Sequence, residues 1–200
     1  MHQGLPGSMY DASCDGTWLL RKDLYETRQW HSSDSNSYKA STIHSYLNST
    51  FLGLFDSDIQ AAIKEVKIPY VNGTGADGSV ASGASGLAAK IFLLAGYEVG
   101  FTTSDDSYFP VDGAKLDYFK SGDTVYGTNR AKRIAQLNGA ATSWWLRSPY
   151  TDRNVYAFLV TDYGGYNDLS CANSYGIRPA LVLPSNALFD KNTLILKGVA

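Results

Sequence analysis

The chain has 200 residues, 44% of them hydrophobic and 18% charged, with a formal net charge of −2. That suits a single globular domain spanning 1–200; no basic excess exists to neutralise phosphates, so nucleic acid is not an expected partner, and no apolar run reaches the roughly eighteen residues of a membrane span, so no membrane insertion is expected. Aromatics at 13% exclude a disordered chain, while two cysteines, Cys14 and Cys171, make neither a disulfide framework nor a zinc site and read as one bridge or as two separate thiols.

Residues 1–15 read as an irregular N-terminal extension. Its first residues, Met1-His2-Gln3-Gly4-Leu5-Pro6-Gly7, have neither the basic start nor the apolar stretch of a signal peptide. Thr17-Trp18-Leu19-Leu20 reads as a short strand, and the polar residues 30–41 as a loop. Ser41 or Thr42 can cap a helix through Phe51, with Ile43, Leu47 and Phe51 on one face. Asp56 or Ser57 can cap a second helix over 56–66, its stripe formed by Ile59, Ala62, Ile63 and Val66. A strand is predicted over 66–70, a flexible Gly/Ser loop over 72–86, and a buried strand or short helix over 89–94. Residues 100–113 read as a loop, followed by short helices near 114–120 and 129–137. Beyond Gly139 the pattern turns to β: 143–147, then 155–162 ending at the Gly164-Gly165 turn, then 177–183 and 193–197. Short elements, with helices early and strands late, predict an α+β fold rather than an alternating α/β layout.

Gly73-Thr74-Gly75-Ala76-Asp77-Gly78 matches G-x-G-x-x-G, with Glu98 about 20 residues beyond, as in a dinucleotide fingerprint. That fingerprint works because its glycines open a helix within a βαβ unit. Here they run on into Ser79, Ser82 and Gly83, so a loop is predicted and no cofactor. His2, His31 and His44 have no metal-ligand spacing, and His44, beside an apolar stripe, reads as a hydrogen-bonding residue at the edge of the core. Asp56, Asp58, Asp105 and Asp106 lack the alternating oxygens of an EF-hand loop and read as caps or solvated loop residues, so no metal is expected. Asn48-Ser49-Thr50 and Asn72-Gly73-Thr74 are glycosylation acceptors only in a eukaryotic secretory setting. No nucleophile, base and orienting group fall into a recognisable constellation, so the chain reads as a non-enzyme without catalytic residues.

Residues 150–175 stand apart. Fifteen of these 26 residues are Tyr, Asp, Asn, Ser or Thr. Tyr offers rigid amphipathic area and Asn, Ser and Asp offer adaptable hydrogen bonds, the chemistry of an antibody paratope. Composition alone leaves two readings open, a recognition surface and an exposed Tyr-rich hairpin. The segment also contains no Lys, Glu, Gln, Met or Trp. None of those five is reachable from an AAC asparagine codon by changing its two adenines, whereas every residue present is.

Trp144-Trp145-Leu146-Arg147-Ser148-Pro149 followed by Tyr175-Gly176-Ile177-Arg178-Pro179-Ala180-Leu181 resembles a domain family of gut bacteria and their phages. Arg28-Gln29-Trp30-His31-Ser32, Ile43-His44-Ser45-Tyr46-Leu47-Asn48 and Tyr108-Phe109-Pro110 add to the likeness, which covers roughly 14–185. Members of that family are often variable proteins of diversity-generating retroelements, in which a reverse transcriptase copies a template repeat with errors at adenines into the target gene. The resemblance implies a C-type-lectin-like fold, related in shape to the formylglycine-generating enzymes. It implies a non-enzymatic ligand-binding protein with scaffold strands over 144–183 and a diversified segment over 150–175. The implied partner is a protein or glycan on a cell surface, and the implied location a phage virion or a bacterial cell surface.

The scaffold residues carried over are Trp144, Trp145, Leu146, Arg147, Phe158, Val160, Gly176, Ile177, Arg178 and Pro179. Arg147 and Arg178 are expected to be paired or bonded to backbone carbonyls, with a ligand role the alternative. The period-2 pattern over 155–163 puts Tyr156, Phe158, Val160 and Asp162 on one face and Val155, Ala157, Leu159, Thr161 and Tyr163 on the other, without saying which is inward. The family pattern turns Phe158 and Val160 to the core. Leu159, Thr161 and Tyr163 would then face the ligand, together with Tyr150, Asp152, Arg153, Asn154, Tyr166, Asn167, Asp168, Leu169 and Ser170. Tyr150, Tyr163 and Tyr166 are the expected anchors. Two other readings share the fold: a carbohydrate-binding lectin with a fixed, calcium-dependent site, and a formylglycine-generating type of oxidoreductase, for which Cys14 and Cys171 would have to meet.

Overall fold

The computed structural model describes residues 1–33, 35–73, 79–120, 129–189 and 196–199. Most of the G-x-G-x-x-G match (74–78), part of the predicted 72–86 loop and the start of the predicted 193–197 strand lie outside the described residues.

Trp144–Pro149 is the hinge of the architecture. All six of its residues are buried, which is the pattern of an internal strand covered on both faces. It lies third in a five-stranded sheet ordered Tyr166–Ser170, Tyr156–Val160, Trp144–Pro149, Ser174–Gly176, Thr27–Gln29. On one side it runs antiparallel to Tyr156–Val160, with Trp144 opposite Val160 and Trp145 opposite Leu159. On the other it runs parallel to Ser174–Gly176, with Trp144 opposite Gly176. The chain therefore leaves this strand, forms a hairpin on one flank, and returns on the other.

A second sheet is ordered His2–Gln3, Thr17–Leu20, Ala180–Leu183, Ile91–Phe92. Short two-stranded pairs complete the β structure, among them Val66–Ile68 with Leu87–Ala89 and Tyr70–Val71 with Val80–Ala81. The α-helices are short: Thr42–Tyr46, Ser57–Ala62 and Asn129–Arg133. The molecule is a small α+β domain.

Several local signals act as the sequence predicts. Ser41 caps the first helix by accepting from the His44 N–H at 3.1 Å, and Ile43, Leu47 and Phe51 are buried. The helix does not stay regular: it continues as a π turn over Leu47–Phe51 and a 3-10 turn over Leu52–Leu54. Asn48 in that π turn is a structural clamp, its Oδ1 accepting from Lys90 and Ile91 N–H and its Nδ2 donating to the Ile91 carbonyl.

Elsewhere pairing overrides the local pattern. The second helix stops at Ala62, because Ile63 is extended and Val66–Ile68 is drawn into pairing with Leu87–Ala89. The start of the chain is not wholly irregular, since His2 and Gln3 pair with Trp18 and Thr17. Val80–Ala81 within the predicted loop forms a strand, and the predicted 114–120 helix is only a 3-10 turn at Asp117–Phe119.

One core cluster ties both sheets together. Its centre holds all four tryptophans, Trp18, Trp30, Trp144 and Trp145, each fully buried. A buried indole N–H needs an acceptor, and each finds a backbone carbonyl: Cys14, Leu146, Arg133 and Arg28 respectively, at 2.8–3.0 Å. The tryptophans thus act as hydrogen-bonded pegs as well as apolar mass.

Candidate functional site

The scaffold around the 150–175 segment rests on charges taken out of water. Arg147 and Glu98 are fully buried and form a two-point ion pair at 2.6 and 2.7 Å. The remaining guanidinium N–H groups go to the Pro69, Leu93 and Asp112 carbonyls at 3.0 Å. Tyr10 donates to Glu98 at 2.7 Å. Burial alone would lower the Arg147 guanidinium, but the attraction of Glu98 outweighs it and holds the charge firmly on. Such a pair is worth little net, yet removing one partner strands the other and costs about 3–5 kcal/mol. The acid about 20 residues past the glycine motif is thus committed to Arg147.

Ser148, the next residue, donates to Asp112, which is also fully buried, and accepts from the Gly96 N–H at 2.9 Å. Burial pushes the Asp112 carboxyl up to about 7. Arg178 is bonded to backbone carbonyls, as Arg147 is in part: Arg21, Lys22, Lys132 and Arg133 all accept from it. Its guanidinium lies 5.1 Å from the centre of the Trp144 ring. All ten scaffold positions, Trp144 to Arg147, Phe158, Val160 and Gly176 to Pro179, are buried.

The 150–175 segment is not one exposed surface. Ala157, Phe158, Leu159, Val160 and Thr161 are all buried. The strand is internal and covered on both faces, so the alternation that should turn Leu159 and Thr161 to the ligand does not operate; both are corrected to the core. Tyr150 is corrected too. It is 8% exposed, stacked on Tyr108 at 4.7 Å and tilted against Phe158 at 5.3 Å. Tyr166 is half-buried, its hydroxyl donating to the Asp105 carbonyl at 2.6 Å and its ring set edge-on to Phe101 and Phe109. Of the three expected anchors, only Tyr163 is largely open, at 47%.

The exposed residues divide between the two ends of the hairpin, which a five-residue strand separates by about 17 Å. At one end the Arg130 and Arg133 side chains donate to the Tyr163 and Gly164 carbonyls at 2.5 and 2.8 Å. Gly164 turns there with φ +81, and a Cβ would meet the Arg130 carbonyl, so only glycine fits. Tyr163 is therefore not brought together with the other candidates.

At the opposite end Asp152, Arg153 and Asn154 are exposed and a patch assembles around them. The Arg153 guanidinium lies 5.7 and 5.4 Å from the Tyr150 and Tyr156 ring centres. The exposed Tyr108 stacks beside them, and Asp168 and Ser170 rise from the neighbouring edge strand, Ser170 directly opposite Tyr156. Burial first, and the nearby charge of Asp106 second, raise the Asp168 carboxyl, while Arg153 opposes the shift. Leu169 is half-buried and Asn167 is exposed.

A residue the sequence reading passed over holds this end. Asn36 is fully buried, and its Nδ2 donates to three carbonyls, Tyr150, Arg153 and Tyr156, at 2.8–3.0 Å. Its N–H donates to the Asn154 carbonyl at 2.9 Å. The turn is thus gripped by its backbone while its side chains point out. Gly73 lies against the Asn36 backbone with φ +74, where a Cβ would collide with the Asn36 carbonyl. The first glycine of the G-x-G-x-x-G match serves this close approach. No sequence signal links positions so far apart.

Cys14 and Cys171 are both buried and neither is in a disulfide, so the bridge left open by the sequence is not made. Burial pushes the Cys14 thiol up to about 11, away from the thiolate a reactive cysteine needs. Among the described residues no three His, Cys, Asp or Glu side chains lie close enough to hold a metal ion, and no helix is long and apolar enough to cross a membrane.

These features define a class: a small α+β domain whose sheet edge carries an exposed, aromatic-backed turn held from beneath by buried polar groups. Residues 15–185 match the family described as a domain of unknown function, DUF6273, and the chain belongs to that family. No curated protein and no solved structure matches the chain.

Proposed function

We propose that the chain is a non-enzymatic ligand-binding domain of C-type-lectin-like type, in which a retroelement diversifies the exposed part of residues 150–175. The ligand is a protein or glycan on a cell surface, bound by a phage virion or a bacterial surface protein. The observation that carries the reading is the separation of duties at the 151–154 turn. Its backbone is fixed by Asn36, and its side chains, with those of Tyr108, Tyr156 and Asp168, form the outer face. Substitution at Asp152, Arg153 and Asn154 removes little from the core, which is what a variable site requires. Aromatic area with adjustable charged and amide groups is also the chemistry of an adaptable paratope. The composition of the segment, free of residues unreachable from AAC codons, supports the same reading.

Sequencing the DNA around the gene tests it. The expected result is a near-copy of the codons for 144–183 beside a reverse-transcriptase gene. Mismatches should be confined to template adenines and fall at exposed positions such as Asp152, Arg153, Asn154 and Asn167. Absence of any repeat, or mismatches concentrated at the buried Ala157–Val160, defeats diversification and leaves a fixed binding surface.

A further inference from the structure

Arg178 lines a cleft of about 410 Å³ together with Lys22, Asp23, Tyr118, Lys132 and Ile134. It also borders a smaller hollow, with Lys22, Tyr118, Leu20 and Met1 on its walls. The cleft shares no residue with the hairpin surface. It lies where the end of the Thr17–Leu20 strand, the Asp117–Phe119 turn and the Asn129–Arg133 helix meet.

Arg178 is 4% exposed. Four of its five N–H groups go to carbonyls: Nε to Arg21, Nη1 to Lys132 and Arg133, and one Nη2 hydrogen to Lys22. The second Nη2 hydrogen has no acceptor among the described residues. Arg178 also makes no ion pair there; Tyr118 first and Asp23 second attract it, neither through an ion-pair contact. Burial consequently lowers the guanidinium to about 10. A cation taken out of water without a counter-ion is expensive, and the usual remedies are pairing or a bound anion. Arg147 has its Glu98, whereas Arg178 has carbonyl dipoles and the face of Trp144 but no carboxylate in contact among the described residues. Capping the end of the Asn129–Arg133 helix accounts for the Lys132 and Arg133 carbonyls, and tying down the Arg21-Lys22 backbone accounts for the other two, but neither accounts for an arginine buried at the wall of a cavity that a second cation, Lys22, also lines.

We propose that this cleft binds a small organic anion, whose carboxylate or phosphate oxygen sits between the unspent Nη2 hydrogen of Arg178 and the Lys22 ammonium. With a single free N–H the arginine contact is one-point, so the lysine supplies the second. The exposed Tyr118 ring and the Leu20 and Ile134 side chains offer an apolar wall for the carbon body of the ligand. The volume, far above the roughly 30 Å³ of one water, favours an organic acid over a bare ion.

Titration of the full chain with benzoate, phenyl phosphate and neutral benzamide, read by calorimetry and by Tm, tests this. Saturable binding of benzoate or of phenyl phosphate, with benzamide at least about tenfold weaker, is expected. Whichever acid binds more tightly names the anion. Lys22→Glu changes an exposed residue, so the fold should be kept while affinity falls by about tenfold or more. No saturable binding of either acid up to about 10 mM overturns the site. So does equal binding of benzamide, or unchanged affinity in a folded Lys22→Glu.

Discussion

At the scale of single residues, the buried polar groups set how the protein responds to pH. The carboxyl of Asp112 sits at about 7 in the folded chain and returns to the ordinary carboxylate range on unfolding. The folded state therefore binds more protons between pH 4 and 7. Stability from this group is full below the unfolded value and is lost as pH rises through the folded one, at up to about 1.4 kcal/mol per pH unit. His44 acts the other way, because burial lowers its imidazole and its contribution is lost as pH falls below the ordinary histidine value. The difference between the wild type and Asp112→Asn isolates the first effect. Urea unfolding from pH 5 to 8 should show the wild type losing stability relative to the variant as pH rises. Parallel curves for the two proteins would mean that Asp112 does not carry a raised carboxyl.

At the scale of elements, the hairpin divides into a part that holds and a part that displays. Tyr163→Ala should change stability by no more than about 0.5 kcal/mol, since the ring is open and the Arg130 bond is to the backbone. Tyr150→Ala and Tyr166→Ala should each cost about 2–4 kcal/mol, because they empty the tilted contact on Phe158 and the edge-on contact on Phe109. Chemical denaturation of the three variants checks this, and equal small losses at all three would return Tyr150 and Tyr166 to the surface. The sequence showed a strand at 143–147, where Trp144–Pro149 forms, a cap at Ser41 or Thr42, which Ser41 makes, and the Gly164-Gly165 turn, each of which is a local signal. It did not show the strand Tyr166–Ser170. Asn167 and Asp168 are poor strand formers, and the strand exists because every one of its residues pairs across to Tyr156–Val160. Nor could alternation choose an inward face over 157–161, where both faces are covered. The patch around Arg153 was half legible: Asp152, Arg153 and Asn154 stand out by composition, while Tyr108 and Asn36 reach them only through the fold.

At the scale of the molecule, one continuous core seals both thiols. A thiol-reactive dye should label neither cysteine in the native protein and two per chain in denaturant, since Cys14 and Cys171 are fully buried and unbridged. Fast native labelling of either would show that its cover opens readily. The same core depends on the two ends of the chain. Leu20 lies opposite Ala180 in one sheet, and Arg28 lies opposite Tyr175 in the other. A growing chain leaving the ribosome cannot complete either sheet until residues near 183 have emerged. At about 5–20 residues per second, Thr17–Leu20 and Thr27–Gln29 wait on the order of ten seconds or more with their edges unsatisfied. Such edges invite pairing with other chains. Synthesis, rather than the finished structure, is the stage at which this protein is most exposed to aggregation, and the stage at which a chaperone would matter most.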